Sequence, residues 1–266
     1  MGTIDLNADV GEAEDRLGID SELAILQYVS SANIACGGHR GDARSMRRLV
    51  RAAKERGVQI GAHPSYPDRE NFGRRSDLTW IHIDPHTLYR SLAAQITSLA
   101  EIAKSENYSV AYVKPHGALY NDAVVSAEHA ELIARLVSRI DLDLGLMGSP
   151  KSEIERAAKK YELRFIAEGF VDRRYVDTGH LQNRSIYGAV IEKLEDRIAQ
   201  TLSLINNRSV VTASGKMLAL SCDTLCLHGD SPGAVETARH ARAAIETAGT
   251  QVKPFAAKGC NHANHS

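Results

Sequence analysis

Seven short apolar, β-branched runs alternate with longer stretches of helical period, and this alternation constrains the fold more than any other feature of the 266 residues. Strands are expected at Ile4–Val10, Ser31–Cys36, Val58–Ala62, Val110–Lys114, Leu142–Met147, Leu163–Glu168 and Asp223–Leu227. Helices are expected at Ala43–Arg56, Leu88–Lys104, Ala127–Arg139, Ser152–Tyr161, Ala189–Ile205 and Ala234–Ala248. Strand–helix–strand alternation implies parallel pairing with helices outside the sheet. Seven such units favour a closed or nearly closed α/β barrel over an open doubly wound sheet. Asp84-Pro85 and Ser231-Pro232 each set a capping side chain before a proline that fits a first helical turn. Gly57 and Gly249 read as helix stops. Residues 208–221 depart from the pattern: Ala213-Ser214-Gly215-Lys216 reads as a hairpin turn inserted before the last barrel strand.

No linker or charge block divides the chain. Residues 1–250 are therefore expected to form a single barrel domain, with 251–266 as a C-terminal strand and tail. Lys+Arg number 32 against 33 Asp+Glu, so no net field favours nucleic acid or an anionic membrane. No run approaches the ~18 apolar residues of a membrane span, and the N-terminus lacks the basic n-region of a signal peptide. Cys36, Cys222, Cys226 and Cys260 are too scattered for a disulfide framework. A cytoplasmic chain is expected.

In parallel barrels the βα loops converge at the C-terminal ends of the strands, where sites are built. Unusual residues fall there: Asp9 and Glu12 after the first strand, Asn33 and His39 after the second, and His63 after the third. Lys114 and His116 follow the fourth, Glu168, Asp172, Arg173 and Arg174 the sixth, and His228 and Asp230 the last. Any one of them alone would be a helix cap, a satisfied histidine or a surface charge. Together they mark one functional cluster. His82, His86, His129, His180 and His240 fall in loops or on helix faces and are set aside, and the Cys260–His265 tail reads as a frayed terminus. There is no phosphate-binding G-x-x-x-x-G-K-[ST] loop, no G-x-G-x-x-G, no G-x-S-x-G and no H-E-x-x-H.

Taken in order, Asp5-Leu6-Asn7-Ala8-Asp9-Val10-Gly11-Glu12, Ser31-Ala32-Asn33-Ile34-Ala35-Cys36-Gly37-Gly38-His39 and Gly61-Ala62-His63-Pro64-Ser65-Tyr66-Pro67-Asp68 resemble the LamB/YcsF family. Lys114-Pro115-His116-Gly117-Ala118-Leu119-Tyr120, Ala167-Glu168-Gly169-Phe170-Val171-Asp172-Arg173-Arg174-Tyr175 and Asp223-Thr224-Leu225-Cys226-Leu227-His228-Gly229-Asp230 continue the resemblance, which covers about residues 3 to 250. The chain departs from the family pattern at Gly38, Arg40 and Ala43, and at Ala13-Glu14-Asp15, all around the expected site mouth.

The resemblance implies an irregular (β/α)7 barrel related to the polysaccharide deacetylases. It also implies an A subunit of ATP-dependent 5-oxoprolinase, opening the lactam of 5-oxo-L-proline to L-glutamate with B and C partner subunits and ATP as co-substrate. Asp9, His39, His63 and His116 are the expected acid/base residues. Lys114, Arg173 and Arg174 are expected to meet anions, with Asn33, Glu12, His228 and Asp230 completing the substrate- and phosphate-binding set. An alternative use of Asp9, His39 and His63 is to ligate a divalent metal. Two rivals stay open: a metal-dependent carbohydrate or amide deacetylase acting alone, and a non-catalytic substrate-binding subunit. Homo-oligomerisation stays open as well.

Overall fold

The computed structural model describes residues 2–141, 143–229, 231 and 233–255, with the side chains of Trp80 and Ile81 left out. Seven parallel strands form a closed barrel: β1 (Thr3–Val10), β2 (Ser31–Ala35), β3 (Gln59–His63), β4 (Val110–Val113), β5 (Gly145–Gly148), β6 (Phe165–Phe170) and β9 (Thr224–His228). The ring closes where β9 pairs with β1, from Asp5↔Thr224 to Asp9↔His228. Between β6 and β9, a two-stranded antiparallel hairpin, β7 (Ser209–Val211) and β8 (Met217–Ala219), forms where the turn was expected. A short β10 (Gln251–Val252) pairs with the start of β1. Among the described residues no helix is long and apolar enough to cross a membrane.

Both faces of the strands are buried, because helices cover one and the barrel interior encloses the other; β2, for example, is buried at every residue. α2 (Ala43–Arg56) starts with a capping box between Asp42 and Ser45 and stops at Gly57 in the left-handed region, φ 67°. Its Met46, Leu49, Val50 and Ala53 are buried as one stripe. α3 (Pro85–Ser105) is capped by the Asp84 side chain on Thr87 N. α5 (Ala127–Ile140) and α6 (Glu153–Lys160) lie close to their expected spans.

Two expectations are corrected. α7 spans Leu194–Asn207, not Ala189–Ile205: Val190 forms an antiparallel bridge with Arg173, so its neighbours follow that bridge and not a helix. α8 (Ala234–Thr247) has Gly233 as its N-cap with no side-chain cap, so Ser231 does not cap it; Pro232 lies outside the described residues. α1 (Arg16–Ile25) and α4 (Gly117–Val125) arise in stretches for which no element was expected. A π-helical turn at Asp77–Ile81 was also unforeseen.

The barrel interior is polar. Asp5, at the base of β1, accepts hydrogen bonds from the hydroxyls of Ser30, Ser31 and Thr224. The next layer links Asn7 Nδ2 to Thr224 Oγ1, Asn33 Nδ2 to Asn7 Oδ1 and Tyr112 OH to Asn33 Oδ1, at 2.7, 2.7 and 2.6 Å. Gly61 on β3 is required here, because a Cβ would lie 2.1 Å from the Tyr112 ring. This base carries the layer that forms the site.

Candidate active site

Residues expected from six separate strand ends converge on one end of the barrel. Asp9, His63, Lys114, His116, Arg173 and His228 line a cavity of about 790 Å³. Lys114, 2% exposed, places Nζ 2.8 Å from Asp9 Oδ1, 2.8 Å from Glu168 Oε1 and 3.0 Å from Cys226 Sγ. Burial alone would depress the Lys114 pKa, but Asp9, Cys226 and Glu168 hold it well above the ordinary lysine value. Burial likewise opposes ionisation of Asp9, and the His63 and Lys114 charges reverse this, leaving Asp9 well below the usual carboxylate range. Asn33 donates to Asp9 Oδ1 at 2.7 Å, so it orients Asp9 from beneath.

Beside this ion cluster sit three histidines and Glu12. His63 Nδ1 lies 2.8 Å from the Lys114 carbonyl, and His116 Nε2 lies 3.0 Å from the Phe72 carbonyl. A carbonyl only accepts, so each of those nitrogens carries the proton. In the neutral rings, His63 Nε2 and His116 Nδ1 are then both lone pairs, and they face each other across 3.0 Å. Glu12 Oε1 lies 2.8 Å from His39 Nε2, 3.3 Å from His116 Nδ1 and 4.0 Å from His63 Nε2. Burial, with the neighbouring histidine charges, pushes His116 well below the ordinary histidine value. Burial pushes His39 down too, against the pull of Glu12. The rings of His39 and His116 stack 3.5 Å apart.

Convergent lone pairs on one carboxylate and three imidazoles fit a divalent cation. The four ligand atoms, one each from Glu12, His39, His63 and His116, lie within 4.8 Å of one another. Imidazole-rich donors of this kind suit first-row transition metals. This set differs from the expected Asp9, His39 and His63: Glu12 and His116 join it, while Asp9 Oδ1 is engaged by Lys114 and Asn33 and its Oδ2 stays 3.5 Å from His63. His39 Nδ1 is buried without a partner.

The remaining expected residues divide. His228 is held by Asp172, which accepts from its backbone N at 3.1 Å and meets its Nδ1 at 2.9 Å. Burial disfavours its charged form, but Asp172 raises its pKa above the ordinary value. Arg173 lines the cavity, whereas Arg174 is only half-buried, is absent from the cavity lining, and meets Ala189 and Gln182 through its backbone. Asp230 lies outside the described residues. His129 is buried against Asp77 at 2.9 Å, a structural role, but His180, set aside as a loop residue, lines the cavity.

Phe72 and Arg184 went unforeseen. The Phe72 ring edge packs against His39 and His116, and Arg40 and Arg74 lie over that ring. Arg184 sits in the long segment between β6 and α7. A connection of that length without periodicity is itself a signal of function, and it was the only one available in the sequence.

The chain belongs to the LamB/YcsF family, whose model matches residues 4–259. The structure of a lactam utilization protein from Thermus thermophilus is similar, at 37% identity and a TM-score of 0.85, covering 95% of this chain and 100% of that one. A putative cellobiose-phosphate cleavage protein from Enterococcus faecalis shares the fold at 14% identity and a TM-score of 0.55, covering 94% and 96% of the two chains. So does an uncharacterized protein from Agrobacterium tumefaciens, at 13% identity and a TM-score of 0.55, covering 95% and 89%.

Proposed function

We propose that this chain is the lactam-opening A subunit of an ATP-dependent 5-oxoprolinase, converting 5-oxo-L-proline, ATP and water to L-glutamate, ADP and phosphate together with B and C partner subunits. The observation that carries this reading is the paired arrangement of His63 and His116 beside the Lys114–Asp9 ion cluster, within a chain 37% identical to a lactam utilization protein.

A five-membered lactam is a little-strained amide, so hydrolysis needs an activated carbonyl. No phosphate-binding loop of the common type is present in the sequence, which supports assigning the ATP-dependent activation to the partners. Opening then needs three services. Lys114 stabilises the negative charge on the phosphorylated carbonyl oxygen, in a desolvated site where charge-assisted contacts are strong. His63 or His116, each with one nitrogen pinned by a backbone carbonyl, takes a proton from attacking water through its free lone pair. The proton returns to the ring nitrogen as the C–N bond breaks, which leaves γ-glutamyl phosphate, and a second water hydrolyses that acyl phosphate to glutamate and phosphate. A divalent metal held by Glu12, His39, His63 and His116 would occupy those lone pairs and supply Lewis acidity in place of imidazole base catalysis.

The test is ATP-dependent glutamate release from 5-oxo-L-proline by the purified chain, with and without the B and C subunits. Coupled release of glutamate and phosphate only in the full mixture is expected. The donor set favours a second reading, a metal-assisted amide hydrolase acting alone. Robust ATP-free hydrolysis of an acetylated sugar or amide by the isolated chain would establish that reading and displace the first.

The donor set has its own measurement. After equilibration with zinc or manganese, elemental analysis should find one ion per chain, lost in Glu12→Ala and retained in Asp9→Asn. Retention in Glu12→Ala and loss in Asp9→Asn would restore the set anticipated from sequence.

A further inference from the structure

The cavity has two chemically different sides. Its floor carries the carboxylates of Asp9 and Glu168 around Lys114, with Glu12 and the histidines alongside. One wall is cationic and comes from the segment between β6 and α7. That segment folds back on itself through antiparallel bridges, Arg173↔Val190 and Tyr175↔Leu181, and through hydrogen bonds from Val176 N to His180 O and from Gln182 N to Arg174 O. The fold-back presents residues His180 to Ser185 to the cavity.

Arg173 and Arg184 share this wall but do different work. Arg173 is 6% exposed, and its guanidinium donates from Nη2 to the Gln182 carbonyl at 2.8 Å and from Nε to the Ala189 carbonyl at 3.4 Å. It therefore clamps both arms of the segment and fixes the position of Arg184 between them. Burial, and next the nearby Arg184 charge, push Arg173 below its ordinary value, and Arg184 also acts against the charged form of His228. Arg173, Arg184 and His228 all line this same cavity.

We propose that Arg184, lining the same cavity as His228 and with Arg173 as its positioning residue, receives the carboxylate of the lactam substrate. This rests on the 5-oxo-L-proline reading above and deepens it. A small substrate with a carboxylate at one end and an electrophilic carbonyl at the other is oriented by the charge division of the cavity: its anion meets the arginine wall, and its carbonyl meets Lys114 and the histidine floor. Arginine suits this position because its planar fork matches a carboxylate bidentately. The chemistry of an anion site is shared by a carboxylate and by a phosphoryl group on an activated lactam, and the neutral analogue 2-pyrrolidinone separates them.

Arg184→Ala and Arg184→Lys are assayed with both partners against 5-oxo-L-proline and 2-pyrrolidinone. A charge-assisted contact contributes about 1.5–3 kcal/mol, about ten- to a hundredfold in kcat/KM. Arg184→Ala is expected to lose that factor for 5-oxo-L-proline, mainly through KM, and to stay within about twofold for 2-pyrrolidinone. Arg184→Lys is expected to fall between, keeping charge and losing the fork. Equal losses on both lactams would overturn the assignment, since Arg184 would then serve the phosphoryl group or the fold. If the wild-type mixture releases no glutamate, the functional reading fails separately, and calorimetry on the isolated chain still decides the wall. Binding of 5-oxo-L-proline that survives Arg184→Ala, or no preference over 2-pyrrolidinone, overturns it; preferential binding lost in Arg184→Ala upholds it.

Discussion

The base and the top of the same barrel are both polar, both buried and differently completed. At the base, Asp5, Ser30, Ser31, Thr224, Asn7, Asn33 and Tyr112 form one chain of hydrogen bonds in which donors meet acceptors. At the top, His39 Nδ1 is buried without a hydrogen-bond partner, and Glu168 is held by its ion-pair contact with Lys114. Two imidazole lone pairs face each other there as well. A satisfied network rigidifies a core, whereas unsatisfied buried groups lose stability unless a ligand completes them. The contrast marks the base as scaffold and the top as machinery.

The largest expected effect that would break this contrast is at His116. His116→Ala should lower partner-coupled glutamate release by about 10²–10⁴-fold, the range of a lost general acid–base group, with the thermal midpoint unchanged or raised. A collapse of the midpoint with activity per folded molecule preserved would instead make His116 part of the scaffold.

Lys114 belongs to both roles. Lys114→Met should cost about 3–5 kcal/mol of stability, because Asp9 and Glu168 are left as buried charges without their cation. Activity should also fall about ten- to a hundredfold. Urea titration and turnover, measured on the same preparation, separate the two effects.

A smaller effect sharpens the comparison from the base. Burial raises Asp5 to about 6, against the opposing hydrogen bonds from Ser30, Thr224 and Ser31. The folded chain therefore holds this proton more tightly than the unfolded chain. The stability it contributes is present below the ordinary aspartate value near 4 and is lost as pH rises towards 6, an amount of order 2–3 kcal/mol. Denaturation between pH 4 and pH 7 should show that decline, and Asp5→Asn should flatten it. An identical slope in both proteins would remove Asp5 as its source.

Most of the scaffold was legible because periodicity reports burial. All seven barrel strands, the capping of α3 by Asp84 and the hairpin before β9 follow from local pattern. α1 escaped because only Glu22 and Ile25 are buried along it, too few to show a stripe. α4 escaped because it begins at a glycine of positive φ, Gly117, directly after His116. The strand-end residues of the candidate site were readable for the same reason as the strands: register places Asp9, His63 and Lys114 by counting. The exchange of Asp9 for Glu12 among the possible ligands was not readable, since it depends on which atoms Lys114 and Asn33 engage. Arg184 was hidden further still, on a fold-back whose shape is set by two Arg173 contacts and no repeating pattern.

The closure of the ring has a consequence for how the chain is made. Asp5 to Asp9 pair with Thr224 to His228, so this edge of the first strand finds its partner only after more than two hundred further residues have been synthesised. At about 5–20 residues per second, that is a wait of roughly 10–45 s for a growing chain. Through that interval β1 presents an unpaired edge, the feature that templates association with other chains. Its interior-facing Asp5, Asn7 and Asp9 make that edge a poor template for apolar aggregation. The polar lining that later serves the finished barrel also guards the nascent one.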